Sequence, residues 1–244
     1  MKKSIAASGI CCMAIAILFS SCERKAKTLF ELMPVGRTGV DFINVIEETD
    51  SFNILTYEYI YNGGGVGVAD FNNDGMQDIV FSGNQVPNKI YLNLGDLKFK
   101  DITEAANINI QGRRNSGVTL ADVNNDGWMD IYITATMKLD SMDRRNMLFM
   151  NNGLNKDGFP TFSEHAADYK IDDAGFSENA AFFDYDRDGD LDLYVLTNQK
   201  LKNFPTNYRD KLVDGSSLNN DRLYRNNGDG TFADVSKEAG APPF

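Results

Sequence analysis

One nine-residue acidic pattern occurs three times in this 244-residue chain: Asp70-Phe71-Asn72-Asn73-Asp74-Gly75-Met76-Gln77-Asp78, then Asp122-Val123-Asn124-Asn125-Asp126-Gly127-Trp128-Met129-Asp130, then Asp184-Tyr185-Asp186-Arg187-Asp188-Gly189-Asp190-Leu191-Asp192. The first aspartates of successive copies stand 52 and 62 residues apart. Self-similarity on this scale means that one supersecondary unit has been copied, and that each copy buries its apolar face against its neighbour. The runs that flank the loops are short, β-branched and aromatic: Val66-Gly67-Val68-Ala69 and Ile79-Val80-Phe81 around the first, Ile131-Tyr132-Ile133 and Leu193-Tyr194-Val195 after the others. Such runs read as strands.

A second pattern follows each loop: Tyr91-x-Asn93-x-Gly95, Phe149-x-Asn151-x-Gly153 and Tyr224-x-Asn226-x-Gly228, with Phe99, Phe162 and Phe232 just downstream. Apolar strands joined by Asn/Gly turns are the signature of hairpins. Each repeat therefore supplies four strands, one on each side of the acidic loop and one on each side of the turn. The expected fold is all-β: a β-propeller of four-stranded antiparallel blades, spanning 40–244, with three complete blades at about 64–103, 117–164 and 179–236. Residues 40–45 read as one further lone strand. Rings of this kind typically close with four to eight blades. The expectation is an incomplete ring, with the chain a truncated or N-terminal piece of something longer.

The loops carry the chemistry. Positions 1, 3 and 5 bear oxygen in every copy: Asp70, Asn72 and Asp74; Asp122, Asn124 and Asp126; Asp184, Asp186 and Asp188. Glycine at position 6 permits a sharp turn, after which the backbone carbonyl of Met76, Trp128 or Asp190 can point inward, and Asp78, Asp130 or Asp192 closes the set. Alternate oxygens on a curled loop suit calcium, a hard cation that takes six to eight oxygen ligands. About three calcium ions are expected. The pattern departs from the EF-hand at position 12, where Phe81, Ile133 and Val195 replace the bidentate glutamate, and the flanks are strands. Zinc is excluded by the ligand supply, since His165 is the only histidine. Asn125, outside the ligand set, is expected to tolerate alanine, and Trp128 to pack between blades or brace its loop.

The loops, the strand after them and the Tyr-x-Asn-x-Gly hairpin resemble the FG-GAP/VCBS repeats of integrin α-type propellers. With the Gly63-Gly64-Gly65 run and Ala181-Phe182-Phe183-Asp184-Tyr185-Asp186, the order is similar to the N-terminal part of bacterial VCBS lipoproteins of the ASPIC/UnbV and cartilage acidic protein group. The resemblance implies a calcium-bound propeller used for adhesion or ligand display.

The N-terminus reads as an export signal over residues 1–21: Lys2 and Lys3, then an apolar run of about fifteen residues, short for a membrane span. It ends Leu18-Phe19-Ser20-Ser21-Cys22, similar to a lipobox, so Cys22 is the expected lipidation site at the head of a linker over 22–39. The expected location is an exported, membrane-anchored bacterial lipoprotein of the outer membrane or cell surface. The formal charge of −11 becomes −13 without Lys2 and Lys3, which argues against nucleic acid as a partner. No nucleophile motif appears, His165 has no evident partner, and the clustered carboxylates are assigned to the ion. The chain therefore reads as non-enzymatic, a binder of a protein or glycan at the cell surface; the alternative is a noncatalytic or lyase-like part of a larger exported enzyme. Recognition is expected opposite the acidic loops, on segments 82–88, 137–146 and above all 197–220, whose Lys200, Lys202, Phe204, Tyr208 and Arg209 are the candidate ligand contacts.

Overall fold

The computed structural model describes residues 28–55, 57, 59–108, 113–136, 144–198, 217 and 219–240. The export signal, Cys22 and the candidate contacts Lys200, Lys202, Phe204, Tyr208 and Arg209 lie outside the described residues. The chain divides into two compact units, Met1–Pro34 and Val35–Phe244. Residues 28–34 of the first form no helix or strand, and Leu29, Phe30 and Leu32 are exposed. Among the described residues no helix is long and apolar enough to cross a membrane.

The second unit contains three four-stranded antiparallel sheets. The first is β1 (Val66–Ala69), β2 (Asp78–Phe81), β3 (Lys89–Asn93) and β4 (Phe99–Asp101); the second is β5 (Asn115–Ala121), β6 (Asp130–Ala135), β7 (Met147–Leu154) and β8 (Pro160–Glu164). The third is β9 (Ser177–Phe183), β10 (Asp192–Thr197), β11 (Arg222–Asn226) and β12 (Phe232–Asp234). In every sheet the spatial order is the chain order, as the up-and-down strands of a propeller blade require. Two one-turn helices, α1 (Val35–Thr38) and α2 (Thr103–Ala106), complete the regular structure among the described residues.

The blades stack through alternate faces. Ile90, Leu92 and Phe71 of the first blade bury against Ile131, Ile133, Phe149 and Phe162 of the second. Tyr132, Leu148 and Met150 of the second bury against Leu193, Val195 and Tyr224 of the third. The period of two along each strand sends one set of side chains to the preceding blade and the other to the following one. At the inner strands this packing is backbone on backbone. A Cβ on Gly64 would stand 1.9 Å from the Ser82 carbonyl oxygen, and one on Gly65 would stand 2.5 Å from the Val118 nitrogen. Gly64 and Gly65 are thus a packing requirement, because no side chain fits there, whereas Gly63 serves by its φ of 82°.

Hydroxyls join the inner strands. Gly65 N donates to Ser82 Oγ at 2.7 Å, Ser82 Oγ donates to the Ser116 carbonyl at 2.5 Å, and Ser116 Oγ donates to the Ser177 carbonyl at 2.8 Å. A second repeated device closes the turn after each second strand. Asn88, Asn146 and Asp221 accept the backbone N–H of Gly83, Ala135 and Thr197 at 3.1, 2.9 and 2.7 Å.

Residues 40–45 depart from the expected lone strand: they pair with no sheet, and Val45 N donates to the Ile43 carbonyl at 3.0 Å within the segment. Their contacts run to side chains of the first blade instead. Phe42 stacks on Phe81 with centroids 4.8 Å apart, Tyr91 Oη donates to Asp41 at 2.6 Å, and Asn84 N donates to Asn44 Oδ1 at 3.0 Å. With no strand edge beside it, the segment satisfies its polar groups side chain by side chain.

Candidate metal centres

All three acidic loops fold alike because position 4 and position 6 both reverse the chain. Asn73, Asn125 and Arg187 sit at φ 57°, 57° and 66°, and Gly75, Gly127 and Gly189 at φ 87°, 86° and 100°. Left-handed backbone at both places curls the loop inward; asparagine pays little for it and glycine nothing.

The curl is held by the acidic side chains. Asp70 accepts Asp74 N and Gly75 N at 3.1 and 2.6 Å, and Asp122 accepts Asp126 N and Gly127 N at 3.0 and 2.8 Å. In the third loop Asp184 accepts Arg187 N and Gly189 N at 2.6 and 3.2 Å. Position 5 follows suit: Asp74, Asp126 and Asp188 accept the N–H of Met76, Trp128 and Asp190 at 2.8, 2.8 and 2.9 Å. At position 3, Asn72 and Asn124 donate their amides to Asp74 and Asp126, at 2.9 and 2.8 Å.

Asp184, Asp186 and Asp188 are exposed, and each has a carboxylate oxygen within 4.8 Å of the others, so this triad can hold a metal ion. Asp186 is held above the usual carboxylate range, first by desolvation and then by the charge of Asp188. Three carboxylates this close repel one another until a cation neutralises them.

Position 9 plays a different part. Asp78, Asp130 and Asp192 are fully buried. In each, one oxygen accepts the N–H of position 2, Phe71, Val123 or Tyr185, at 2.9 Å. The other accepts the N–H of Asn93, Asn151 or Asn226, at 2.7, 2.8 and 2.9 Å. These asparagines return the contact, donating their amides to the carbonyls of Gln77, Met129 and Leu191. The Tyr-x-Asn-x-Gly turn is therefore the clasp of the acidic loop, a link that neither pattern reveals by itself. Burial pushes the Asp78 and Asp130 carboxyls up to about 6. A carboxylate offers about four acceptor positions, so two backbone donors leave room for a cation.

The position 7 side chains lie over the same turns. Trp128 reaches within 3.3 Å of where a Cβ on Gly153 would stand, and Asp190 within 3.2 Å of one on Gly228. Trp128 thus braces its own loop. Loops one and two are also joined directly, by Asn73 Nδ2 donating to the Gly127 carbonyl at 3.1 Å.

His165 does have partners, contrary to expectation: Ser163 Oγ at 2.9 Å and Asp168 Oδ2 at 2.8 Å. The side chain of Asp168 is 74% exposed, and the three residues lie where the end of β8 runs into the following turn. The two contacts tie the end of β8 to that turn.

Residues 56–133 match the family described as FG-GAP-like repeat. That stretch is an FG-GAP-like repeat. It contains the first two loops, strands β1 to β5 and most of β6, and the third loop, in a sheet of the same order, repeats their position 9 clasp and position 5 contact while its position 1 carboxylate takes Arg187 N in place of the position 5 N–H. Cartilage acidic protein 1 of mouse is 27% identical over 143 residues, 57% of this chain and 21% of that protein. The human protein is 28% identical over 143 residues, with the same shares covered. The matched stretch spans about a fifth of the length of these curated relatives.

Proposed function

We propose that this chain is a calcium-held, surface-anchored recognition module that binds a protein or glycan and performs no chemistry itself. The observation that carries the reading is the contrast between the two ends of the blades. At one end the acidic loops are three near-copies in backbone and hydrogen bonding. At the other, the β2–β3 turn of the first blade and its counterparts differ in length and residue type, as recognition surfaces on a rigid frame do. Calcium is the cation of choice because the donors are many hard oxygens on a flexible loop, and a site of this kind binds at about 10⁻⁴–10⁻³ M, matched to extracellular calcium. Each of the three loops takes one ion, through positions 1, 3, 5, 7 and 9. Lipidation of Cys22 places the module at the cell surface.

The test is a glycan array and a panel of surface proteins probed with the chain in calcium and in chelator. Binding to a defined ligand in calcium, weakened in chelator and reduced by deleting residues 199–216, supports the reading. Hydrolysis or elimination of a glycan during the assay would replace it with the enzymatic alternative.

A further inference from the structure

We propose that a recess at the beginning of the three inner strands binds a neutral sugar ring, an inference that rests on the reading of the chain as a recognition module. Its volume is about 470 Å³, within the range of small-ligand sites, and Asn62, Gly64, Ser116, Gly117, Glu178 and Asn179 line it. Because the acidic loops follow the ends of β1, β5 and β9, this recess lies at the opposite end of those strands.

The repeat itself marks the site. Gly64-Gly65, Ser116-Gly117 and Glu178-Asn179 occupy the same two positions of successive blades. Glycine holds the second position in the first two blades because the next strand crowds it; a Cβ on Gly117 would stand 2.5 Å from Asn179 Oδ1 and 2.7 Å from the Glu178 carbonyl oxygen. The third blade departs from this rule and sets a carboxylate and an amide at the same rim. Asn179 is exposed, and its Oδ1 accepts Ala180 N at 2.9 Å. Its Nδ2 has no partner among the described residues.

Glu178 is held in place. Thr136 Oγ1 donates to it at 3.3 Å, and the Tyr57 and Asn198 side chains also bond to it. Burial raises its pKa, while these three hydrogen bonds act in the opposite direction and fix the carboxyl in place. No lysine or arginine lines the recess. A lining that contains one anchored carboxyl group and the two primary amides of Asn62 and Asn179, with no cationic group, matches the paired donor and acceptor character of sugar hydroxyls and disfavours anions.

The experiment uses the full chain in calcium, titrated by calorimetry with methyl α-mannoside, methyl β-galactoside and N-acetylglucosamine, with sodium acetate and ammonium chloride as controls. At least one sugar should bind, and N179G should weaken it tenfold or more while leaving the melting temperature close to that of the parent, since the sibling blades carry glycine there. E178Q should weaken the same sugar. Absence of binding by all three sugars, binding of ammonium alone, or full sugar affinity in N179G would overturn the proposal. If array binding survives N179G but is lost on deleting residues 199–216, the recess is wrong and the recognition module stands.

Discussion

Asp130 and its equivalents Asp78 and Asp192 link the loops to the rest of the blade, since each buried carboxylate holds two backbone N–H groups from separate elements. The titration of Asp78 and Asp130 gives a signed prediction. In the ion-free chain Asp78 and Asp130 are raised by desolvation from 3.8 to about 6. A carboxyl that holds its proton more tightly when folded contributes stability below its unfolded value of about 4 and loses it as pH rises through about 6. Asp41, Asp101 and Asp229 are shifted the other way, so their contribution is complete above about pH 4 and does not mask the effect. The ion-free chain should therefore melt lower at pH 7 than at pH 5. Calcium must displace those protons, so its stabilising effect should be larger at pH 7. Asn125 shows the limit of spacing as a guide. Outside the ligand set, it reads as replaceable by alanine, yet its φ of 57° is a conformation that alanine resists. N125A should cost about 1 kcal/mol in chemical denaturation, equally in calcium and in chelator, while N125G should cost little.

At the scale of the element, the four-strand blade was legible because its signals are local: alternating apolar strands, an Asp-Gly loop and an Asn-x-Gly turn. What joins one blade to the next was not, because those contacts are long-range. Asn151 donates its amide to the Phe71 carbonyl of the preceding blade at 3.0 Å, and the seam from Ser82 Oγ to the Ser116 carbonyl and from Ser116 Oγ to the Ser177 carbonyl spans three blades. One signal was available in retrospect. An Asn or Asp stands three residues before the aromatic of each Tyr/Phe-x-Asn-x-Gly turn, at Asn88, Asn146 and Asp221, and each caps the turn after its second strand. Residues 40–45 have the alternation of a strand, and alternation cannot report whether a sheet edge lies beside it. A close inter-blade contact supplies the test at this scale. G117A drives a Cβ into Glu178 and Asn179, so it should separate the second and third blades and cost about 1–3 kcal/mol of unfolding free energy.

For the whole molecule, the three loops gather carboxylates on one end of a chain whose formal charge is −11. Mutual repulsion destabilises that end unless cations neutralise it, which on the proposed reading makes the ions part of the frame and leaves recognition to the opposite end. The sequence patterns were enough to bring the Asp184, Asp186 and Asp188 carboxylates together, because spacing along a tight loop determines spacing in space. They were silent on the axial recess because it is assembled from three blades, and only their superposition exposes Glu178-Asn179 as the break in the pattern. The most direct measurement is calorimetric melting of the full chain in millimolar calcium and in excess chelator, alongside D126A. A ligand that binds only the native state must raise the melting temperature by mass action. The parent should melt several degrees higher in calcium, and D126A should lose part of that increment while matching the parent more closely in chelator. An identical melting temperature for the parent in calcium and in chelator would contradict the account.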